Sequence, residues 1–196
     1  MVRLLPIIGS CVILFSLVIS PHAKGIEIED DWFVAIIGGI GTDETLEELG
    51  TFDVDFRSSY FAALSLARAL ASYDKYLTLE AEGQVVKHFK EQDHFEFNGL
   101  LILRWNPFFW DRYLDTSFAV GDGLSYATEI PTIEAERNHE TSRLLNYFMI
   151  EVAASVPNAP RWGVFGRIHH RSGVFGLYNG ARGGSNFLAA GIRFRF

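Results

Sequence analysis

The sequence predicts an eight-stranded antiparallel β-barrel that crosses a membrane. Eight segments of 11–13 residues are strand-like, about the length that a tilted strand needs to span a bilayer. Apolar residues recur at every second position within most of them, so each strand has one apolar face and one small or polar face. After an N-terminal apolar run there is no second long apolar segment, so a membrane-spanning chain must close as a barrel. The segments are approximately 31–41, 59–71, 77–88, 94–105, 117–129, 143–155, 161–172 and 186–196.

Residues 1–23 have the features of a cleaved signal peptide. Arg3 supplies the positive charge, Leu4 to Ile19 is nearly unbroken apolar sequence, and a cut is expected after Ala23 or close to it. Residues 24–196 are then expected to form a single barrel domain. The cut removes Cys11, the only cysteine, so disulfide and thiolate chemistry are not expected. It leaves 16 of the 17 basic residues against 24 acidic ones, a net charge of −8, so nucleic acid is not an expected partner.

The segment 186–196 predicts the compartment. One face of this segment is apolar and the other carries Arg193, Arg195 and small residues. The apolar face consists of Leu188, Ala190, Ile192, Phe194 and Phe196. Gram-negative outer-membrane barrels commonly end on such a strand, and this resemblance implies an integral multi-pass barrel in the cell outer membrane. It also implies that the barrel-assembly machinery recognises Phe196. The alternative fold is a soluble lipocalin-like barrel, which would turn its apolar faces inward.

The opposite faces of the strands predict a charged interior. An eight-stranded barrel is filled by its own side chains, so we expect these charges to pair with one another and not to line a pore. The predicted interior charges are Glu80, Glu82, Glu96, Glu151, Arg104, Arg167, Arg193 and Arg195.

A periplasmic N-terminus fixes the side of the membrane on which each connection between strands lies. The outer loops then cover approximately 42–58, 89–93, 130–142 and 173–185. The inner connection 106–116 contains Phe108, Phe109, Trp110 and Tyr113, which favours an interfacial aromatic girdle. A plain hydrophobic turn is the alternative.

A histidine and a serine lie at the outer end of the segment 161–172. His170 and Ser172 share the lipid-facing parity, with Cα atoms roughly 6–7 Å apart. A histidine that accepts the serine proton is the minimal arrangement for nucleophilic ester cleavage, and the abundant esters at that rim are lipids and the acyl chains of lipid A. His169 points inward and would be the base only if a bulge changed the parity. Adjacent strand residues face opposite ways, so we expect neither a metal nor another cofactor there.

An eight-stranded barrel with His-x-Ser facing lipid at the outer end of its seventh strand resembles the lipid A 3-O-deacylase (PagL) family. The layout of the strands resembles that family over the whole mature chain, whereas the motifs that are specific to the family lie within residues 167–196. It implies that His170 is the base and Ser172 the nucleophile of ester hydrolysis. The sequence departs from the family at two points. Gly173 stands where the family has Asn, and residues 183–186 read Gly-Gly-Ser-Asn where the family has the acidic member of its triad.

Other residues could supply what these departures remove. Glu134, Glu136 or Glu140 could replace the acid, Asn146 shares the lipid face, and Asn179 or loop amides could form the oxyanion site. We therefore predict an outer-membrane esterase, lipid A 3-O-deacylase-like, that acts on lipopolysaccharide in the outer leaflet. The alternative is a non-catalytic small outer-membrane barrel, a structural or surface-interaction protein in which the histidine and serine only bind water and phosphate.

Overall fold

The structure is a computed structural model that describes residues 26–29, 31–51, 53–106, 108–137 and 140–196. The predicted signal peptide, residues 1–23, lies outside the described residues. Within the described ranges, none of the helices is long and apolar enough to cross a membrane.

Eight antiparallel strands close into a barrel. Each of them pairs with its neighbours in sequence, and the last strand pairs with the first of the eight. This confirms the predicted eight-stranded barrel. A further three-residue strand precedes these eight and pairs with the inner end of the strand Phe56–Tyr73, where Ile26 lies opposite Tyr73. It was not predicted because three residues are too few to show an alternation. The strands are β1 Ile26–Ile28, β2 Trp32–Thr42, β3 Phe56–Tyr73, β4 Leu77–Lys90, β5 Phe95–Trp105, β6 Asp115–Ala127, β7 Leu144–Ser155, β8 Trp162–Ser172 and β9 Gly184–Arg195.

Most of the large apolar side chains on the described strands face outward. Ile36 is 71% exposed and Leu101 is 56% exposed, whereas their strand neighbours Ala35 and Leu100 are buried inside. A lipocalin-like barrel would show the reverse. The inner connection has the exposed aromatic character that was predicted, because Phe109 and Tyr113 face outward beside Trp110. An apolar outer surface is what a barrel needs in contact with lipid.

Most of the predicted interior charges pair with one another, whereas Arg195 is partly exposed and has its Nη1 3.4 Å from Asp31 Oδ2. Arg104 Nε donates to Glu80 Oε1 at 2.7 Å, and its Nη2 donates to Glu151 Oε1 at 2.8 Å. Arg167 Nη1 donates to Glu82 Oε1 at 2.6 Å, and its Nη2 donates to Glu151 Oε2 at 2.6 Å. Glu151 thus joins two guanidinium groups into one buried network. A buried charge is tolerated only when it is paired in this way.

A short helix, α1 (Thr132–Arg137), occupies the outer end of the lumen. Its Ile133 is buried in a cluster that includes Phe61 and Phe187 from the barrel wall. Glu134, on the same helix, accepts hydrogen bonds from Arg171 Nη1 and Ser185 Oγ, both at 2.9 Å. The helix was not predicted because six residues within a loop give no readable periodicity. It fills the outer end of the barrel above the charged network.

Candidate active site

His170 and Ser172 lie on the outer face of β8, near the outer rim of the barrel. Pairing places His170 opposite Phe148 of β7 and Asn186 of β9, and Ser172 opposite Asn146 of β7. Both side chains are partly exposed. The intervening residues, His169 and Arg171, are buried in the lumen. The facing that the alternation predicts for these residues is therefore the facing that the structure has.

Asn186 fixes the orientation of His170. His170 Nδ1 lies 2.6 Å from Asn186 Oδ1, and Asn186 Nδ2 donates to the backbone oxygen of Glu44 at 2.7 Å. Because the amide nitrogen is engaged by Glu44, the amide oxygen must face the histidine, and His170 must carry its proton on Nδ1. The Nε2 lone pair is then left to accept a proton, which is the tautomer that a general base requires.

Asn186 was not predicted to be a site residue, although it lies in the segment 183–186, where the resemblance implies the acid. It was missed because its side chain is an amide and not a carboxylate. An amide oxygen holds the histidine tautomer as a carboxylate does. It carries no charge, however, and stabilises an imidazolium less well. Asn186 is 3% exposed, which strengthens the contact by excluding water.

Ser172 is held by the turn that follows it. Its Oγ accepts a hydrogen bond from the Val174 N–H at 3.1 Å, and among the described residues no hydrogen bond joins it to His170. The turn is unusual, because Val174 has φ 46° and Phe175 has φ 56°. A β-branched residue is rarely found in this left-handed region, and such outliers are concentrated at functional sites.

Gly173 has a structural reason to differ from the asparagine that the resemblance implies. A Cβ at this position would collide with the carbonyl oxygen of Ala181, in the returning arm of the β8–β9 loop. The Gly173 N–H donates to Gly183 O at 2.9 Å, so it is committed to the loop. With this loop conformation, only glycine fits directly after the serine.

The glutamates of the β6–β7 loop are placed away from His170. Glu134 turns into the lumen, where burial raises the pKa of its carboxyl group against the opposing effect of Arg171. Glu136 accepts from Arg57 Nη2 at 2.8 Å. Glu140 is exposed and lies beside Gly180. Within the described ranges none of the three bonds to His170, so the position next to the histidine belongs to Asn186.

The two predicted supporting amides also have partners. Asn146 lies beside Ser172 on the outer face, but its Nδ2 donates to Asp122 Oδ1 at 2.8 Å and to Gly123 O at 3.0 Å. Both of its amide hydrogens are therefore used. Asn179 Nδ2 donates to Ser142 Oγ at 2.9 Å and ties the β8–β9 loop to the β6–β7 loop. Asp122 breaks the apolar alternation of β6 because it holds Asn146 on the outer face.

The sequence matches no protein-family model and no curated protein. Among solved structures it is similar to the crystal structure of the outer membrane enzyme PagL, with a TM-score of 0.50 and 10% identity over 82% of this chain and 98% of that chain. It is also similar to Neisserial surface protein A (NspA), with a TM-score of 0.52 and 12% identity over 88% of this chain and 100% of that chain. At these identities the likeness shows the fold alone: the chain has the fold of the eight-stranded outer-membrane barrels.

Proposed function

We propose that this protein is an outer-membrane esterase that hydrolyses an ester-linked acyl chain of lipid A at the outer leaflet. The observation that carries the proposal is the contact between His170 Nδ1 and Asn186 Oδ1. It leaves an outward-facing histidine with an Nε2 that has no hydrogen-bond partner in the described part of the chain, two residues from a serine on the same strand face. A histidine that served only to bind water or phosphate would not need a buried amide to fix its tautomer.

The reaction begins with rotation of the Ser172 side chain away from Val174 and toward His170. His170 Nε2 accepts the hydroxyl proton as Oγ attacks the ester carbonyl, and it then gives the proton to the departing sugar hydroxyl. Water, deprotonated by the same histidine, hydrolyses the acyl-serine and releases the fatty acid. The rotation also frees the Val174 N–H, which then donates to the oxyanion. Asn186 keeps the imidazole in place throughout.

The surroundings of the serine suit a substrate in a membrane. Phe175 and Leu177, in the loop directly after Ser172, are 88% and 68% exposed. Two large apolar side chains exposed in one short loop favour a surface that contacts lipid or a partner. We place the protein in the outer membrane, with this loop in the acyl region of the outer leaflet, where an ester carbonyl of lipid A lies close to the rim.

The test is the mass of lipid A in a lipopolysaccharide-bearing host. The wild-type chain should remove one ester-linked hydroxyacyl group, and Ser172→Ala should leave lipid A unchanged. Ser58→Ala is the matched control, because Ser58 is an exposed serine at the outer end of β3, and it should behave as wild type. If a correctly inserted wild-type barrel leaves both lipid A and added phospholipid esters intact, the esterase proposal is wrong.

A non-catalytic surface-interaction protein is the second candidate, and the outer loops favour it. Arg57 Nη1, Nε and Nη2 donate to Asp43, Glu91 and Glu136 at 3.2, 2.8 and 2.8 Å. One guanidinium thus joins three outer loops, which gives the barrel a defined outer surface of the kind that binds a partner. Intact lipids in the experiment above, with a folded barrel, would favour this candidate.

A further inference from the structure

The outer end of the lumen contains a cluster of histidines that the esterase proposal does not use. Glu96 is fully buried at its centre, with Oε2 at 3.0 Å from His88 Nε2 and Oε1 at 2.9 Å from His169 Nε2. The His88 ring stacks on the His94 ring, with centroids 4.4 Å apart. Phe61, Tyr147 and Phe187 surround these rings. The cluster faces the lumen, on the opposite side of the barrel wall from His170.

Three polar atoms of the β4–β5 hairpin are buried here without a hydrogen-bond partner among the described residues: His88 Nδ1, Gln92 Oε1 and His94 Nε2. His88 faces Glu96 with its Nε2, so an ion bound by both residues must lie at that nitrogen in place of the hydrogen bond, and His88 then carries its proton on Nδ1. A buried polar atom without a partner is destabilising, and the unpartnered His94 Nε2 beside this pair indicates that an electron-pair acceptor belongs at this place.

We propose that His88, His94 and Glu96 bind a divalent transition-metal ion of the zinc type. One potential ligand atom from each residue lies within 4.8 Å of the others, and rotation of the stacked His88 and His94 rings toward Glu96 would bring all three onto one ion. Imidazole nitrogen and carboxylate oxygen are donors that Zn²⁺ prefers. The N–H of His169 on the Glu96 carboxylate is the outer hydrogen bond that commonly orients a ligating group.

The local charge is suited to a cation. Two buried carboxylates, Glu96 and Glu134, face one guanidinium, Arg171, whose Nη1 is 2.9 Å from Glu134 Oε1 and whose Nε is 3.8 Å from Glu96 Oε2. With neutral histidines and both carboxylates ionised, the described side chains of this cluster carry two negative charges against one positive charge. Lys87, the nearest cation on β4, is turned toward Asp93 on the exposed side of the hairpin. A bound ion would join β4 to β5 inside the barrel.

The test is Zn²⁺ binding to the refolded, untagged mature barrel after treatment with a chelator. Calorimetry and elemental analysis should give one ion per folded barrel. His94→Gln and Glu96→Gln should abolish stoichiometric binding, and His169→Gln should weaken it by about 10- to 100-fold because only the outer hydrogen bond is lost. His170→Gln is the matched control, since this histidine faces outward, and it should bind as wild type.

A second readout keeps the proposal testable if a removal variant does not fold. Co²⁺ bound to His94→Cys should show a thiolate-to-metal charge-transfer band that Co²⁺ in the wild-type barrel lacks. Folding is checked by heat-modifiable migration in each case. Absence of stoichiometric Zn²⁺ uptake by the folded wild type, or wild-type binding by folded His94→Gln, would overturn the proposal.

Discussion

Replacement of Asn186 tests whether its contact with His170 supports catalysis. Asn186→Ala removes the acceptor of the His170 Nδ1–H while leaving His170 and Ser172 in place. A hydrogen bond to a group that becomes charged contributes roughly 1.5–3 kcal/mol, and His170 becomes an imidazolium in the transition state. Each 1.36 kcal/mol is a factor of ten in rate, so kcat should fall by about 10- to 150-fold. KM should change little, because the buried amide does not face the substrate.

The assay is initial-rate hydrolysis of purified lipid A by barrels refolded in detergent. Asn186→Asp restores the acceptor and adds a negative charge beside the imidazolium, at the cost of the hydrogen bond to Glu44, so its kcat should exceed that of Asn186→Ala. Asn106→Ala is the matched control, since this asparagine donates to Thr78 Oγ1 at 2.9 Å near the inner end of the barrel, and it should behave as wild type. A folded Asn186→Ala barrel with kcat within twofold of wild type would refute the assigned role of Asn186.

Two further predictions concern the lumen and the loop. Arg167→Leu should lower the free energy of unfolding by roughly 3–5 kcal/mol, because it leaves the buried Glu82 without its guanidinium partner, while Glu151 keeps Arg104. Arg182→Leu, at an exposed loop position, should change the free energy of unfolding by less than about 0.5 kcal/mol; urea titration in lipid vesicles measures both. Gly173→Asn should push the two arms of the β8–β9 loop apart at Ala181 and make the loop sensitive to limited proteolysis. Gly50→Asn, where a Cβ meets nothing within 4 Å, should not have this effect. Equal stability of the two arginine variants, or equal cleavage of the two glycine variants, would count against these assignments.

The barrel could be predicted because a bilayer and a packed lumen impose opposite demands on alternate residues. The pattern is clearest in β5, where exposed and buried residues alternate without exception from Phe95 to Trp105. The predicted strand bounds were wrong where a strand extends beyond both the bilayer and the packed lumen. β3 runs from Phe56 to Tyr73, beyond the predicted 59–71, because strand pairing continues past the apolar band. The β1 strand and the α1 helix are too short for any periodicity to show.

For the candidate site, the sequence predicted which side of the strand each residue faces, but not which residues lie beside it. The facing of His170 and Ser172 follows from their positions along one strand. The residues that lie beside them on β9 depend on the register between β8 and β9. This register cannot be read from the sequence, because a loop of eleven residues separates the two strands. That register places Asn186 opposite His170. The lumen histidines were missed for a related reason, since His88 and His94 meet only because the hairpin folds back between them.

The most direct measurement of the central claim is covalent labelling of Ser172 by a fluorophosphonate, because it tests the activated serine without assuming a substrate. We expect one label per folded barrel, found by peptide mass spectrometry on Ser172. Labelling should be strongly slowed in His170→Ala and unaffected in Ser58→Ala. A folded wild-type barrel that remains unlabelled, or that reacts equally well without His170, would contradict the claim that these two residues form a nucleophile and its base.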